Sequence, residues 1–293
     1  MSIAVGQEKL FSPNFRTGFG RAILYIAILS FLAHLTLCFI HPFVPAIRDA
    51  HLLASPINAI YTPFSFLLVY EAYLLLYYLP KSTSVYIGKQ YEIISLILIR
   101  GIFKDITYLE LGMNGSDPGK TKLWFDLITV LLVFGLIYLF NRMSRKTSSM
   151  QVISPDIAQF IAAKKRLAAM LLFTSVLLAG YSFIHWILHV TSYSDIQTAL
   201  DINSIFFDHF FTLLIISDVI ILLVSLFHTD DYALIIRNSG FVISTILLKL
   251  SFAATGLMEQ ILILAGVLFG VSIYALANLY SNLKETAGPD PKG

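Results

Sequence analysis

The sequence predicts an all-α polytopic membrane protein with eight transmembrane helices, arranged as two parallel four-helix repeats, with the N- and C-termini cytoplasmic. The composition, the succession of apolar segments and an internal duplication all predict this fold class. Of the 293 residues, 57% are apolar and 13% are charged, and the mean hydropathy is +0.77. Soluble domains carry roughly 25% charged residues. The composition therefore excludes a soluble enzyme and a disordered chain and, at a net charge of +2, a nucleic-acid-binding protein.

Eight segments are long and apolar enough to cross a bilayer, which requires about 20 residues per helix. The third segment is weaker than the others because charged residues interrupt it. The segments lack the alternation of apolar and polar residues that the strands of a membrane barrel show. The predicted spans are Ala22–Ile40, Ile57–Leu79, Val85–Thr107, Leu123–Phe140, Leu167–Val190, Ile205–Phe227, Tyr232–Ala254 and Leu257–Tyr280.

The distribution of Lys and Arg predicts the topology. With eight spans, most basic residues fall on one side of the membrane, including the cluster between Arg142 and Arg166. The positive-inside rule assigns that side to the cytoplasm. The predicted organisation is a cytoplasmic segment 1–21, a first repeat 22–140, a basic cytoplasmic linker 141–166, a second repeat 167–280 and a disordered cytoplasmic tail 281–293. In the linker, Ser154-Pro155-Asp156 predicts the start of a short interfacial helix.

The second half of the chain repeats motifs of the first half in the same order and in equivalent spans. Because each repeat has an even number of helices, both repeats enter the membrane from the same side, as in parallel-repeat transporter folds. The matches are Phe39-Ile40-His41 with Phe183-Ile184-His185, Ile57-Asn58 with Ile202-Asn203, Glu71 with Asp218, Ser95 with Ser244, Arg100 with Lys249, and Phe134-Gly135 with Phe269-Gly270.

Four ionisable residues fall inside predicted spans, where each costs about 2.5–3.5 kcal/mol to insert and normally pairs or faces a water-filled cavity. At 1.5 Å per residue, Glu71 and Arg100 both lie roughly 12–17 Å from the inner boundary. The same arithmetic brings Asp218 and Lys249 to a similar depth. We therefore predict two ion pairs, Glu71–Arg100 and Asp218–Lys249. Three interpretations remain open: an ion or proton pathway, pairs that only fix helix packing, and basic side chains that extend to the outer interface.

Further polar residues accompany these charges. Ser95 and Ser244 precede the two basic residues by about a turn and a half and are candidates to line the same pathway. Asp126 and Glu259 lie near the outer ends of the fourth and eighth spans, at helix N-termini that favour an anion. They are either ordinary helix-end acids or the lining of an outer vestibule for cations.

Histidines near the predicted outer boundary suggest a possible divalent metal site. His185 and His189 are four residues apart and share one helical face, and Asp208 and His209 open the sixth span. Imidazole and carboxylate ligands suit zinc. The alternative is a set of interfacial histidines without a ligand. Because Cys38 is the only cysteine, the sequence excludes a site built from several cysteines.

The duplication and the buried charges together predict an integral membrane transporter or channel for an ion or small solute. A second hypothesis is a non-transporting scaffold or signalling subunit, in which the 141–166 linker docks a cytoplasmic protein. A third is an outer-face metal-binding membrane enzyme. The expected partners are the lipid bilayer and a small solute or ion, without nucleic acid.

Overall fold

The computed structural model describes residues 9–43, 53, 56–111, 118–146, 155–189, 202–227, 231–254 and 256–286. These residues form eight long α-helices, and the described part of the chain contains no strand, so the all-helical prediction is confirmed. Each helix overlaps one predicted span. The helices are α1 Pro13–Ile40, α2 Tyr61–Tyr78, α3 Thr83–Leu111, α4 Pro118–Lys146, α5 Pro155–His189, α6 Ile202–Leu226, α7 Tyr232–Ser251 and α8 Leu257–Thr286.

Helix starts follow local capping chemistry. The Ser12 side chain accepts a hydrogen bond from the backbone N–H of Phe15, and Pro13 occupies the first turn of α1. Asp231 caps α7 in the same way by accepting from the N–H of Ala233. Helix α5 begins at Pro155, as the Ser-Pro-Asp motif predicts, but it continues unbroken to His189. The separate short interfacial helix expected before the fifth span is therefore absent, because nothing in this segment interrupts the helix.

Five of the described helical segments are long and apolar enough to cross a membrane, which indicates an integral, multi-pass membrane protein. Helix α2 is not among them because tyrosines and Glu71 lower its hydropathy, and charged residues do the same in α3. Side chains in the later part of α5 lie outside the described residues. The five segments are Pro13–Phe43, Thr121–Arg145, His209–Leu226, Tyr232–Ser251 and Leu257–Leu283.

Large apolar side chains remain exposed on these helices, as expected for surfaces that contact lipid rather than water. Leu29 of α1, Leu131 of α4 and Leu276 of α8 each expose more than half of their surface. Helix α1 accordingly buries only three of its 28 residues. This distribution supports the membrane assignment independently of composition.

The chain divides into two compact units. The first unit comprises 1–77, 96–123 and 169–209, and the second comprises 78–95, 124–168 and 210–293. Each unit draws residues from both predicted repeats, and the repeat arrangement and the orientation of the termini stay predictions.

The core of the first unit is aromatic. Phe19 packs edge-on against Tyr73, with ring centroids 5.0 Å apart, and Phe15 stacks on Phe19. The Tyr73 hydroxyl donates a hydrogen bond of 2.8 Å to the carbonyl of Leu10. This contact ties the start of the chain to α2.

The core of the second unit is built on the antiparallel neighbours α7 and α8, which a five-residue connection joins. Gly256 in this connection adopts φ +66, a conformation that glycine reaches without strain. The two helices approach closely where Gly240 faces Ile273, since a Cβ at Gly240 would lie 2.5 Å from the Ile273 side chain. The rings of Tyr91, Phe140, Phe241 and Tyr274 fill the space beside them.

Candidate functional site: a buried ion pair and its polar neighbours

The second unit contains a buried ion pair between α6 and α7. The Nζ of Lys249 lies 2.5 Å from the Oδ2 of Asp218, and both residues are 3% exposed. The pairing predicted from depth in the sequence is therefore present. Breaking such a pair by removing one partner leaves an uncompensated buried charge and is strongly destabilising.

Two hydroxyl groups complete the shell around the Asp218 carboxylate. The Tyr86 hydroxyl of α3 donates to Oδ1 at 2.9 Å, and the Thr245 hydroxyl of α7 lies 3.0 Å from Oδ2. A carboxylate accepts up to about four hydrogen bonds. The Asp218 carboxylate thus contacts three hydrogen-bonding side chains, one on α3 and two on α7.

The donors around this carboxylate have unused capacity. An ammonium group carries three N–H donors, and Lys249 makes a single hydrogen bond to the described residues. Gln90, one helical turn after Tyr86, is 1% exposed, and neither of its amide atoms hydrogen-bonds to the described part of the chain. The Gln90 side chain lies close enough to the Tyr86 hydroxyl to interact with it. Buried polar groups of this kind normally bond to protein or ordered water.

Lys164 brings a second buried ammonium group to the described part of this unit. It lies three residues before the predicted fifth span, is 4% exposed, and donates a hydrogen bond of 2.8 Å to the carbonyl of Lys81. Burial lowers the pKa of Lys164 from its usual 10.5 to about 8, although the negative charge of Asp218 opposes the shift. Lys164 is therefore an internal charge, and it does not belong to a solvent-facing basic surface of the linker.

Ser244 lies in a separate, tightly packed polar contact of the second unit. Its Oγ is 2.6 Å from the Tyr91 hydroxyl and donates to the carbonyl of Gly266 at 2.6 Å. Gly270 leaves the space that this contact needs, because a Cβ there would lie 1.8 Å from the Tyr91 Oη. Ser95 instead donates to the carbonyl of Glu92 in its own helix. The expectation that both serines line a pathway stays a prediction.

The predicted pair in the first unit is looser. The Glu71 Oε2 lies 3.6 Å from the Arg100 Nη1, which is an ion-pair distance but longer than a hydrogen bond. Both side chains are largely buried. The structure thus brings together the two partners predicted for each ion pair, while their role in a pathway stays a prediction.

The acids predicted at the outer boundary have different environments. Asp126 of α4 accepts a hydrogen bond of 2.5 Å from the amide of Gln260, which is buried. Glu259 lies in the first turn of α8, where the helix dipole favours an acid, and it is partly exposed. Asp126 thus contacts Gln260, the residue next to Glu259. The outer vestibule for cations stays a prediction.

The proposed metal ligands fall mainly outside the described side chains. This applies to His185, His189 and Asp208. His209 is described and is exposed. Among the described residues, no group of three or more His, Cys, Asp and Glu side chains is placed to hold a metal ion.

Sequence reasoning missed four residues of the buried cluster: Tyr86, Gln90, Thr245 and Lys164. Thr245 precedes Lys249 by four residues and therefore lies on the same helical face. This spacing could have predicted that Thr245 lies near the ion pair. Tyr86 and Gln90 share a face of α3 for the same reason. Their connection to Asp218, 132 residues away in sequence from Tyr86, has no local signal.

No protein family model, curated protein or solved structure matches this chain. The class of protein that the fold defines is an integral, multi-pass, all-helical membrane protein.

Proposed function

We propose that this protein is a transporter or channel for an ion or small solute, and that its pathway passes the Asp218–Lys249 pair. The observation that carries the proposal is a group of buried charged and polar side chains among largely apolar helices. Ionisable residues inside membrane helices are costly, and those that persist usually mark pathways or proton relays. Asp218 and Lys249 form such a pair, and Tyr86, which contacts Asp218, connects it to the buried Gln90 amide.

The unused hydrogen-bonding capacity in the cluster favours a hydrated interior. A buried amide without a partner loses about 1–3 kcal/mol of solvation. Water or a polar solute beside Gln90 and Lys249 would remove that cost. If the Asp218–Lys249 pair only held helices together, the buried Gln90 amide would add a desolvation cost without adding to that role.

The test is the accessibility of the cluster to an aqueous, membrane-impermeant thiol reagent. In a Cys38→Ser background, Thr245→Cys replaces the hydroxyl that contacts Asp218 with a thiol of similar size. Leu248→Cys is the matched control, because Leu248 is fully buried three residues further along the same helix. Rapid labelling at position 245 but not at 248 supports the pathway. Equal protection of both thiols would overturn it.

A non-transporting subunit is the second candidate function. The observation that favours it is that Tyr86 of α3 and Lys249 of α7 both donate hydrogen bonds to Asp218 of α6, which connects the three helices. A dry interior in the labelling experiment would select this candidate. The linker is then the place to search for a cytoplasmic partner.

A further inference from the structure

We infer that the Asp218–Lys249 pair binds and passes on protons, so that the proton is the ion that this protein moves or couples to. This inference rests on the proposed function and specifies the ion. It derives from the geometry of the pair, from the identity of the groups that surround it, and from the space that each candidate ion would need.

A metal cation fits this site poorly. Hard cations require several oxygen ligands, whereas here the oxygens of Asp218 already face N–H and O–H donors. The Nζ of Lys249 occupies the position beside Oδ2 that a cation would take. The hydroxyls of Tyr86 and Thr245 occupy further positions around the carboxylate. A metal ion would have to displace the ammonium group, while a proton needs no cavity.

Among the described residues, three titratable side chains act on the Asp218 carboxylate. Tyr86 faces it from α3, Lys249 faces it from α7, and Lys164 acts on it electrostatically from α5. Lys164 also bonds to the carbonyl of Lys81, just after the end of α2. These groups extend the polar cluster from the Asp218 carboxylate towards that end of the helix.

One proton can cross the pair in three balanced steps. A proton from water binds the Asp218 carboxylate, which becomes a carboxylic acid and ends the ion pair. The Lys249 ammonium, now without its counter-charge in an apolar interior, releases a proton to water and becomes a neutral amine. The carboxylic acid then donates its proton across the 2.5 Å contact to the amine. The carboxylate and the ammonium are restored, and one proton has been taken up and one released.

Proton flux into liposomes tests this inference. The full-length protein is reconstituted into vesicles that contain a pH-sensitive dye, and a potassium gradient with valinomycin drives protons inward. Asp218→Asn is expected to lower the flux of the wild-type protein by about 100-fold or more, because a positioned proton-transfer group typically contributes that much. Asp231→Asn is the matched control: it makes the same chemical change at the exposed N-cap of α7, where Asn caps as well as Asp.

A second variant covers the case in which Asp218→Asn fails to fold. Asp218→Asn combined with Lys249→Met removes both charges and leaves no uncompensated ion. Loss of flux in this folded double variant supports the inference, and wild-type flux overturns it. If an aqueous reagent labels Thr245→Cys but the proton flux does not depend on Asp218, the proton inference fails and the proposed transport pathway is retained. If Thr245→Cys is also protected, the proposed function fails as well.

Discussion

Two glycines in equivalent sequence motifs have opposite surroundings, which gives a quantitative prediction. Phe134-Gly135 in α4 matches Phe269-Gly270 in α8. Beyond the local backbone of α4, no atom of the described residues lies within 4 Å of a Cβ built on Gly135, whereas a Cβ on Gly270 would lie 1.8 Å from the Tyr91 Oη and 2.7 Å from the Ser244 Oγ. The same Gly→Ala substitution should therefore stabilise one helix and disrupt the packing of the other.

The magnitudes follow from helix propensity and packing. Alanine is favoured over glycine inside a helix by about 0.5–1 kcal/mol, so Gly135→Ala should raise the free energy of unfolding by that amount. At Gly270 the same gain is opposed by overpacking, about 1–3 kcal/mol, and by loss of the Tyr91–Ser244 hydrogen bond, about 0.5–1.5 kcal/mol. Gly270→Ala should therefore lower the free energy of unfolding by roughly 1–3 kcal/mol.

The assay is reversible unfolding in mixed micelles, followed by tryptophan fluorescence. Tyr91→Phe removes the atom nearest to the new methyl group, so the double variant with Gly270→Ala should lose less stability than the sum of the two single changes. Equal effects of Ala at positions 135 and 270, or strict additivity with Tyr91→Phe, would refute the packing described for this contact.

Three further predictions concern the buried polar cluster. Lys249→Met should cost about 3–5 kcal/mol because it leaves the Asp218 carboxylate without its cation, and adding Asp218→Asn should recover most of that loss; a neutral single substitution in unfolding experiments would contradict the pairing. Gln90→Leu should change stability by no more than about 1 kcal/mol, since the amide has no hydrogen bond to the described residues; a large loss would reveal an amide bonded to protein. The pKa of Lys164 is lower in the folded protein, so the unfolded chain binds more protons between pH 8 and 10.5. The free energy of unfolding should therefore rise with pH across that window, by about 3 kcal/mol at most. Lys164→Met should abolish this rise.

The helical fold and the ion pairs could be predicted from the sequence because the apolar interior of a membrane constrains both. Long apolar segments can span lipid only as helices or closed barrels, and a charge inside a span needs a partner at similar depth. Glu71 with Arg100 and Asp218 with Lys249 were found in this way, and both contacts are present.

The rest of the site depends on tertiary packing that sequence periodicity does not encode. Tyr86 contacts Asp218 because α3 packs against α6 in the second unit, a contact between residues far apart in the chain. Lys164 was expected on a solvated basic linker, but α5 continues through it and turns its side chain towards the carbonyl of Lys81. Five of the eight predicted spans match described helical segments of membrane length, whereas α2 and α3, which carry Glu71 and Arg100, are less apolar.

The most direct test of this account is an experimental density map of the protein in a lipid nanodisc, at a resolution that reveals ordered water. A hydrated pathway requires water within hydrogen-bond distance of the Gln90 amide and the Lys249 ammonium, connected to bulk solvent on at least one side. A dry interior, with the Gln90 amide bonded only to protein groups, would contradict it.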